Sequence, residues 1–323
     1  MLPVREQLIF FIVEGIFVLL VNIPTIVVIY WVSRLRRSKD LIVLGGLCLA
    51  DISHSLGFLI AGIMRINWID QGQGDGLTEQ RYCYFYPYII IFFVGYQFTG
   101  LMTMVVSLDR LFAVLFPMKH VTRQIKHYLW IIIAALAYCF IGYFVVLPFQ
   151  LQSTKPVSWM CYTSAGFILP VWRYLLSFRI ITVGISIVVY IPIAIKTKKI
   201  MDSSLALTVT QSNQKQKMAR LNLTIGLTSI SALLLLFIPD ILILFDIGGL
   251  AQYEVIFYII VLNKCVINVF IYTFRHRELQ MAFLRPIMRC VGKKNESAIA
   301  STDVQPMKIT IVRRMDKVKS ITN

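Results

Sequence analysis

The sequence predicts an all-α membrane protein, a seven-transmembrane helix bundle with a short amphipathic eighth helix. Three observations carry this. Hydrophobic residues make up 58% of the 323-residue chain and charged residues only 15%, with a mean hydropathy of +0.73. A soluble domain is nearer half apolar and a quarter charged. Apolar runs long enough for a helix of ~20 residues to cross the hydrocarbon core recur along the chain. Basic residues cluster between those runs. The runs are too long for barrel strands and do not alternate, so helices are the structure that satisfies the backbone in lipid. The length would suit two soluble domains, but the composition argues for one embedded domain.

The first run covers 8–33. Its start resembles a secretory leader, but Glu14 interrupts it, no clear small-residue cleavage site follows, and the apolar stretch continues to Trp31; it reads as span one. Span two, 40–64, begins after Lys39 and contains Asp51. Span three, 85–108, runs into "SLDRLFAVLFPMKH", with Asp109 and Arg110 side by side. Span four is 127–149. Span five, 174–195, is the weakest, because Arg173 and Arg179 crowd its start. Span six, 221–245, is apolar until Pro239-Asp240, and the proline should kink it. Span seven, 252–274, carries Lys264, Asn268 and Tyr272 at i, i+4 and i+8, one helical face. After it, Leu279, Phe283 and Ile287 recur every four residues among charges. That predicts an amphipathic helix over 275–289 lying on the inner membrane face. Cys290 at its end suits a palmitoyl group or an ordinary free thiol. Residues 1–290 thus form the embedded domain, and 291–323, polar and aperiodic, a disordered cytoplasmic tail.

Orientation follows from the basic residues. Fourteen fall in the connections after spans one, three and five, against five in the alternate segments. This puts the N-terminus outside and the C-terminus in the cytoplasm. The sequons at Asn222 and Asn295 then face inward and stay unglycosylated. Cys83 and Cys161 face outward, where disulfides persist, and are expected to pair; two unpaired thiols are the alternative. The net charge of +16 is spread over loops and tail, which excludes nucleic-acid binding. No C-x-x-C, H-E-x-x-H, phosphate loop or nucleophile with a base occurs. Neither catalysis, nor a cofactor, nor a metal is expected.

Charged groups at mid-membrane cost roughly 2.5–3.5 kcal/mol and mark function by default. Counting ~1.5 Å per residue, Asn22, Asp51, Thr99 and Lys264 share one layer near the membrane centre. The opposite charges Asp51 and Lys264 are cheapest when paired. Structural polar glue between helices is the other reading of this layer and of the span-seven stripe. Asp240, beside Pro239 and one turn above Phe237, is either a wall of a ligand pocket or an acid snorkelling to the outer headgroups. Glu14 reads as a near-interface acid more than a ligand contact.

These residues carry a likeness. The chain resembles a rhodopsin-like G-protein-coupled receptor, most of all a nematode serpentine chemoreceptor of class SX. "DRLFAVLFP" is similar to that family's Asp-Arg-Tyr-x-Ala-Ile-x-x-Pro, with Asp109, Arg110, Ala113, Val114 and Pro117 in register. Asn22, the Asp51 of "LAD", "FIP" at 237–239 and "NVFIYTFRHREL" follow in the family's order. Leu111, Phe237 and Val269 depart from its tyrosine, tryptophan and proline, and Cys83 stands further from Arg110 than usual.

The resemblance implies a receptor that binds an extracellular chemosensory ligand and activates a heterotrimeric G protein, with arrestin, a receptor kinase and membrane lipids as further partners. Gln97, Phe237, Pro239 and Asp240 become ligand-pocket candidates between spans three, five, six and seven. Asp109, Arg110, Pro117, Tyr190, Asn268 and Tyr272 become the coupling switch. Lys264 stands where the family has a neutral residue around a bound sodium ion, so its ammonium would replace that ion beside Asp51. A neuropeptide receptor is the neighbouring alternative, with Asp240, Asp70, Asp75 and Glu79 meeting a basic peptide. A transporter or channel using Asp51 and Lys264 is the alternative of another class; missing internal repeats argue against it.

Overall fold

The computed structural model describes residues 3–74, 76–202, 226–275 and 279–281. Seven long helices form the bundle: α1 (Val4–Trp31), α2 (Lys39–Asp70), α3 (Pro87–Leu115), α4 (Ile125–Leu151), α5 (Leu169–Asp202), α6 (Gly226–Leu244) and α7 (Glu254–Arg275). The first six are long and apolar enough to cross a membrane, and Val255–Ile271 within α7 is a shorter apolar helix. The 32 residues of α2 and 34 of α5 exceed a ~30 Å hydrocarbon core at ~1.5 Å per residue. These helices therefore run on beyond it, further than the apolar runs alone indicate. The predicted helix over 275–289 lies outside the described residues except for Arg275 and 279–281, as do Cys290, the 291–323 tail, Asp75 and both sequon asparagines.

The central helix is α3, which packs against α2, α4 and α5, while α1 packs against α2 and α7. The helices that line the outside are apolar all round, with Leu20, Val145 and Val188 more than half exposed, as lipid-facing helices are. Pro24, Pro148 and Pro192 lie inside helices, which membrane helices tolerate when neighbouring groups meet the freed backbone. At Pro239 the helix is disturbed in the turn that precedes it. Leu233–Phe237 opens into a π turn, and Pro239 begins the next α segment. A proline ring collides with the carbonyl four residues back; widening the preceding turn relieves this. Gly248 and Gly249, at φ 67° and 73°, make the left-handed turn between α6 and α7 that a Cβ would oppose.

The disulfide Cys83–Cys161 closes one end of the bundle. Two strands absent from the sequence reading cover this end, β1 (Leu77–Glu79) and β2 (Pro156–Ser158), antiparallel with Thr78 opposite Val157. The disulfide holds the two loops close enough to share a ladder. Gln80 donates to the carbonyls of Ala165 and Phe167 at 2.7 and 2.8 Å, and Ser153 donates to its carbonyl oxygen at 2.7 Å. Gln150 donates to Gly166 and accepts from the Ile168 N–H, both at 3.0 Å. Tyr84 and Tyr143 stack at 4.5 Å and exchange hydroxyl-to-carbonyl bonds. Burial pushes the Tyr84 phenol well above its ordinary pKa, so it remains a neutral donor. Arg65, counted with the loops by sequence, is buried in α2 and donates to Met160 and Cys161 carbonyls at 2.9 Å, between the Tyr88 and Tyr162 rings.

Candidate functional site

Polar side chains occupy three levels along the bundle axis. The middle level joins α2, α6 and α7. Lys264 Nζ lies 2.9 Å from Asp51 Oδ1, and both side chains are 1% exposed. Asn268 donates to the other Asp51 oxygen at 3.4 Å and accepts from Ser231 at 3.3 Å. The i, i+4 spacing of Lys264 and Asn268 brings both onto the buried face of α7. Beside them is a cavity large enough for one water, lined also by Thr103, Ser107 and Thr228. Two members of the expected layer stay apart from it. Asn22 is buried but donates to Val18 of its own helix at 3.0 Å. Thr99 is buried, and its hydroxyl makes no hydrogen bond among the described residues. The side chain of Tyr272 lies outside the described residues.

The second level lies between α3, α5 and α6. Arg179 grips Asp240 with two bonds, Nε to Oδ2 at 2.6 Å and Nη2 to Oδ1, both side chains 1% exposed. Its guanidinium lies 3.8 Å over the Tyr96 ring, and its Nη1 is buried with no hydrogen bond. Sequence reasoning placed Arg179 at a helix start and Asp240 near a surface. The structure starts α5 at Leu169 and buries both. The overlooked signal was an arginine inside an apolar run, which demands a carboxylate at its own depth. The Asp240 carboxylate, weighed as a ligand contact or a snorkelling acid, is thus occupied by the protein's own cation. Gln97 is buried, within 3.5 Å of the Tyr174 hydroxyl, and Phe237 lies against Gly184.

The third level is at the far end from the disulfide. Arg110, 4% exposed near the C-terminal end of α3, meets Asp40 of α2 at 2.5 Å and Asp109 at 3.2 Å. Asp109, its neighbour in sequence, is the more distant partner; the shorter contact comes from another helix. Pro117, exposed, starts the short helix Pro117–Thr122. That helix presents His120, whose Nε2 lies 3.2 Å from Asp109. Lys39 donates to the His120 and Val121 carbonyls at 3.0 and 2.7 Å, tying the same helix to α2. The roles of Asp40, Lys39 and His120 were missed in the sequence, where Asp40 is only the first residue of span two and the other two belong to connections. Asp40, Asp109 and His120 hold three possible metal-ligand atoms within 4.8 Å, and Arg110 already supplies a cation there. Tyr190 of α5 sets its hydroxyl against Gly226 at the start of α6, where a Cβ would collide with it.

A seven-helix bundle with apolar outer faces whose ion pairs, among the described residues, lie inside it or at its ends is a multi-pass membrane protein. The family model of the serpentine type 7TM GPCR chemoreceptor Srsx matches residues 15–287. The chain belongs to that family of chemoreceptors. No curated protein matches it.

Proposed function

We propose that this chain is a plasma-membrane receptor that binds an extracellular chemosensory ligand and activates a heterotrimeric G protein through Arg110. The N-terminus and the disulfide end face outside; the Arg110 end faces the cytoplasm. The carrying observation is the latch on Arg110. A buried cation near a helix end, held by Asp40 of one helix and Asp109 of its own, can be re-paired without crossing the core. Ligand binding shifts the balance between latched and released arrangements. Pro239 and the π turn below it give α6 a place to yield, and Tyr190 on Gly226 couples α5 to that movement. Arrestin and a receptor kinase would act on the released state. Lys264 serves as the built-in counter-ion of Asp51, so ligand response is insensitive to sodium.

The test is co-expression with a panel of G proteins and measurement of ligand-free second messenger. Asp40→Asn raises the basal signal and Arg110→Ala abolishes it. No response of any G protein to Asp40→Asn, with the receptor at the surface, would reject the reading. Solute flux without coupling would favour the transporter.

A further inference from the structure

At the Arg110 end, α3 and α4 enclose an open groove of about 410 Å³ that no step above uses. Its walls are apolar, among them Leu108, Leu111, Phe112, Leu115 and Phe116. Leu108, Leu115 and Phe116 are 41%, 42% and 48% exposed. In a membrane protein such a groove meets acyl chains. Its mouth is basic. The Arg123 guanidinium lies 3.7 Å over the Phe112 ring, and Lys119 Nζ 5.6 Å over Phe116. Neither cation has a carboxylate partner among the described residues.

The neighbouring surface marks the depth. Met118, Val121 and Trp130 are exposed beside Lys119 and Lys126, the mixture found where headgroups meet hydrocarbon. Tyr128, on the groove wall and 1% exposed, turns its hydroxyl to the Asp109 carboxylate. That carboxylate, which also holds Arg110 and His120, is therefore engaged within the protein and leaves Arg123 and Lys119 as the open charges of the groove.

We infer that this groove is a site for one anionic phospholipid, its acyl chain against Phe112 and Leu115, its phosphate on Arg123 and Lys119. Only the leaflet, the cytoplasmic one, rests on the proposed orientation. Anionic lipid attracts each nearby basic side chain by ~1 kcal/mol, about fivefold in affinity.

The full chain in nanodiscs of phosphatidylcholine with a minor share of phosphatidylserine, followed by native mass spectrometry of the lipids it retains, tests this. The wild type retains phosphatidylserine preferentially. Arg123→Gln lowers that retention about fivefold, as expected for one basic contact. Leu111→Trp, which fills the groove and keeps every charge, lowers it as well. Arg36→Gln, removing an exposed cation elsewhere at the same end, leaves it unchanged. An intact Cys83–Cys161 disulfide and an unshifted melting temperature certify the fold of each variant. The site is overturned if Arg123→Gln or Leu111→Trp retains as much as wild type, or if Arg36→Gln loses as much as Arg123→Gln. Preferential retention of phosphatidylcholine, or of added oleic acid, overturns the assigned occupant. The measurement needs no G protein, so a receptor that fails to couple can still retain the lipid.

Discussion

The two ends of the bundle solve the same problem in different ways. At the disulfide end, backbone groups are met by side chains: Gln80 takes two carbonyls, Arg65 two, Gln150 a carbonyl and an N–H, and Tyr84 and Tyr143 each other's carbonyl. At the Arg110 end Lys39 meets two backbone carbonyls, but the centre is charge on charge: Arg110 with Asp40 and Asp109, and His120 with Asp109. Directional bonds to backbone have one good geometry and lose much on displacement. Ion pairs keep attraction over a range of distances. One end is thus suited to hold a shape, and the other to exchange partners.

The middle level separates the ends and sets the scale. Lys264→Ala strands a buried carboxylate, which costs about 3–5 kcal/mol; thermal unfolding of the purified protein measures it. The same change should make the melting temperature rise with sodium, because the ion can enter beside Asp51. An unchanged melting temperature without sodium would show that Asp51 is not charged in the bundle. Cys83→Ser should cost about 2–5 kcal/mol and leave Arg110-dependent coupling intact in the folded fraction. Gln150→Leu leaves the Ile168 N–H without its partner and should cost about 1–3 kcal/mol. The smallest effect on stability belongs to Asp40→Asn, about 1 kcal/mol, because Asp40 is partly exposed, the amide oxygen can still accept from Arg110, and Asp109 still holds its charge; yet its effect on basal signalling should be the largest. If Gln150→Leu raised basal signalling as much as Asp40→Asn, the division between a rigid end and a switching end would fail.

Much of this was legible in the chain. The apolar runs announce the spans because lipid demands internally bonded backbone, and their order with "LAD", "DRLFAVLFP" and "FIP" announces the family. Lys264 and Asp51 were legible because counting residues from a span's end measures depth. Depth counting did less well at Arg179, since the apolar run understates where α5 begins. It could not find Asp40 or His120, which look like an acid at a span's start and a loop histidine until helix packing and the short helix Pro117–Thr122 carry them to Asp109. The π turn before Pro239 was hidden too: a proline announces a disturbed turn, not the form the disturbance takes.

The sequence by itself determined which stretches form long apolar helices and in what order, because both follow from local composition. Only the tertiary structure decided which charge meets which. The partners of Arg110–Asp40, Arg179–Asp240 and Lys264–Asp51 stand 70, 61 and 213 residues apart. Their meeting depends on how each helix is rotated about its axis and packed against the next, and that rotation is settled by all the side chains at the interfaces together.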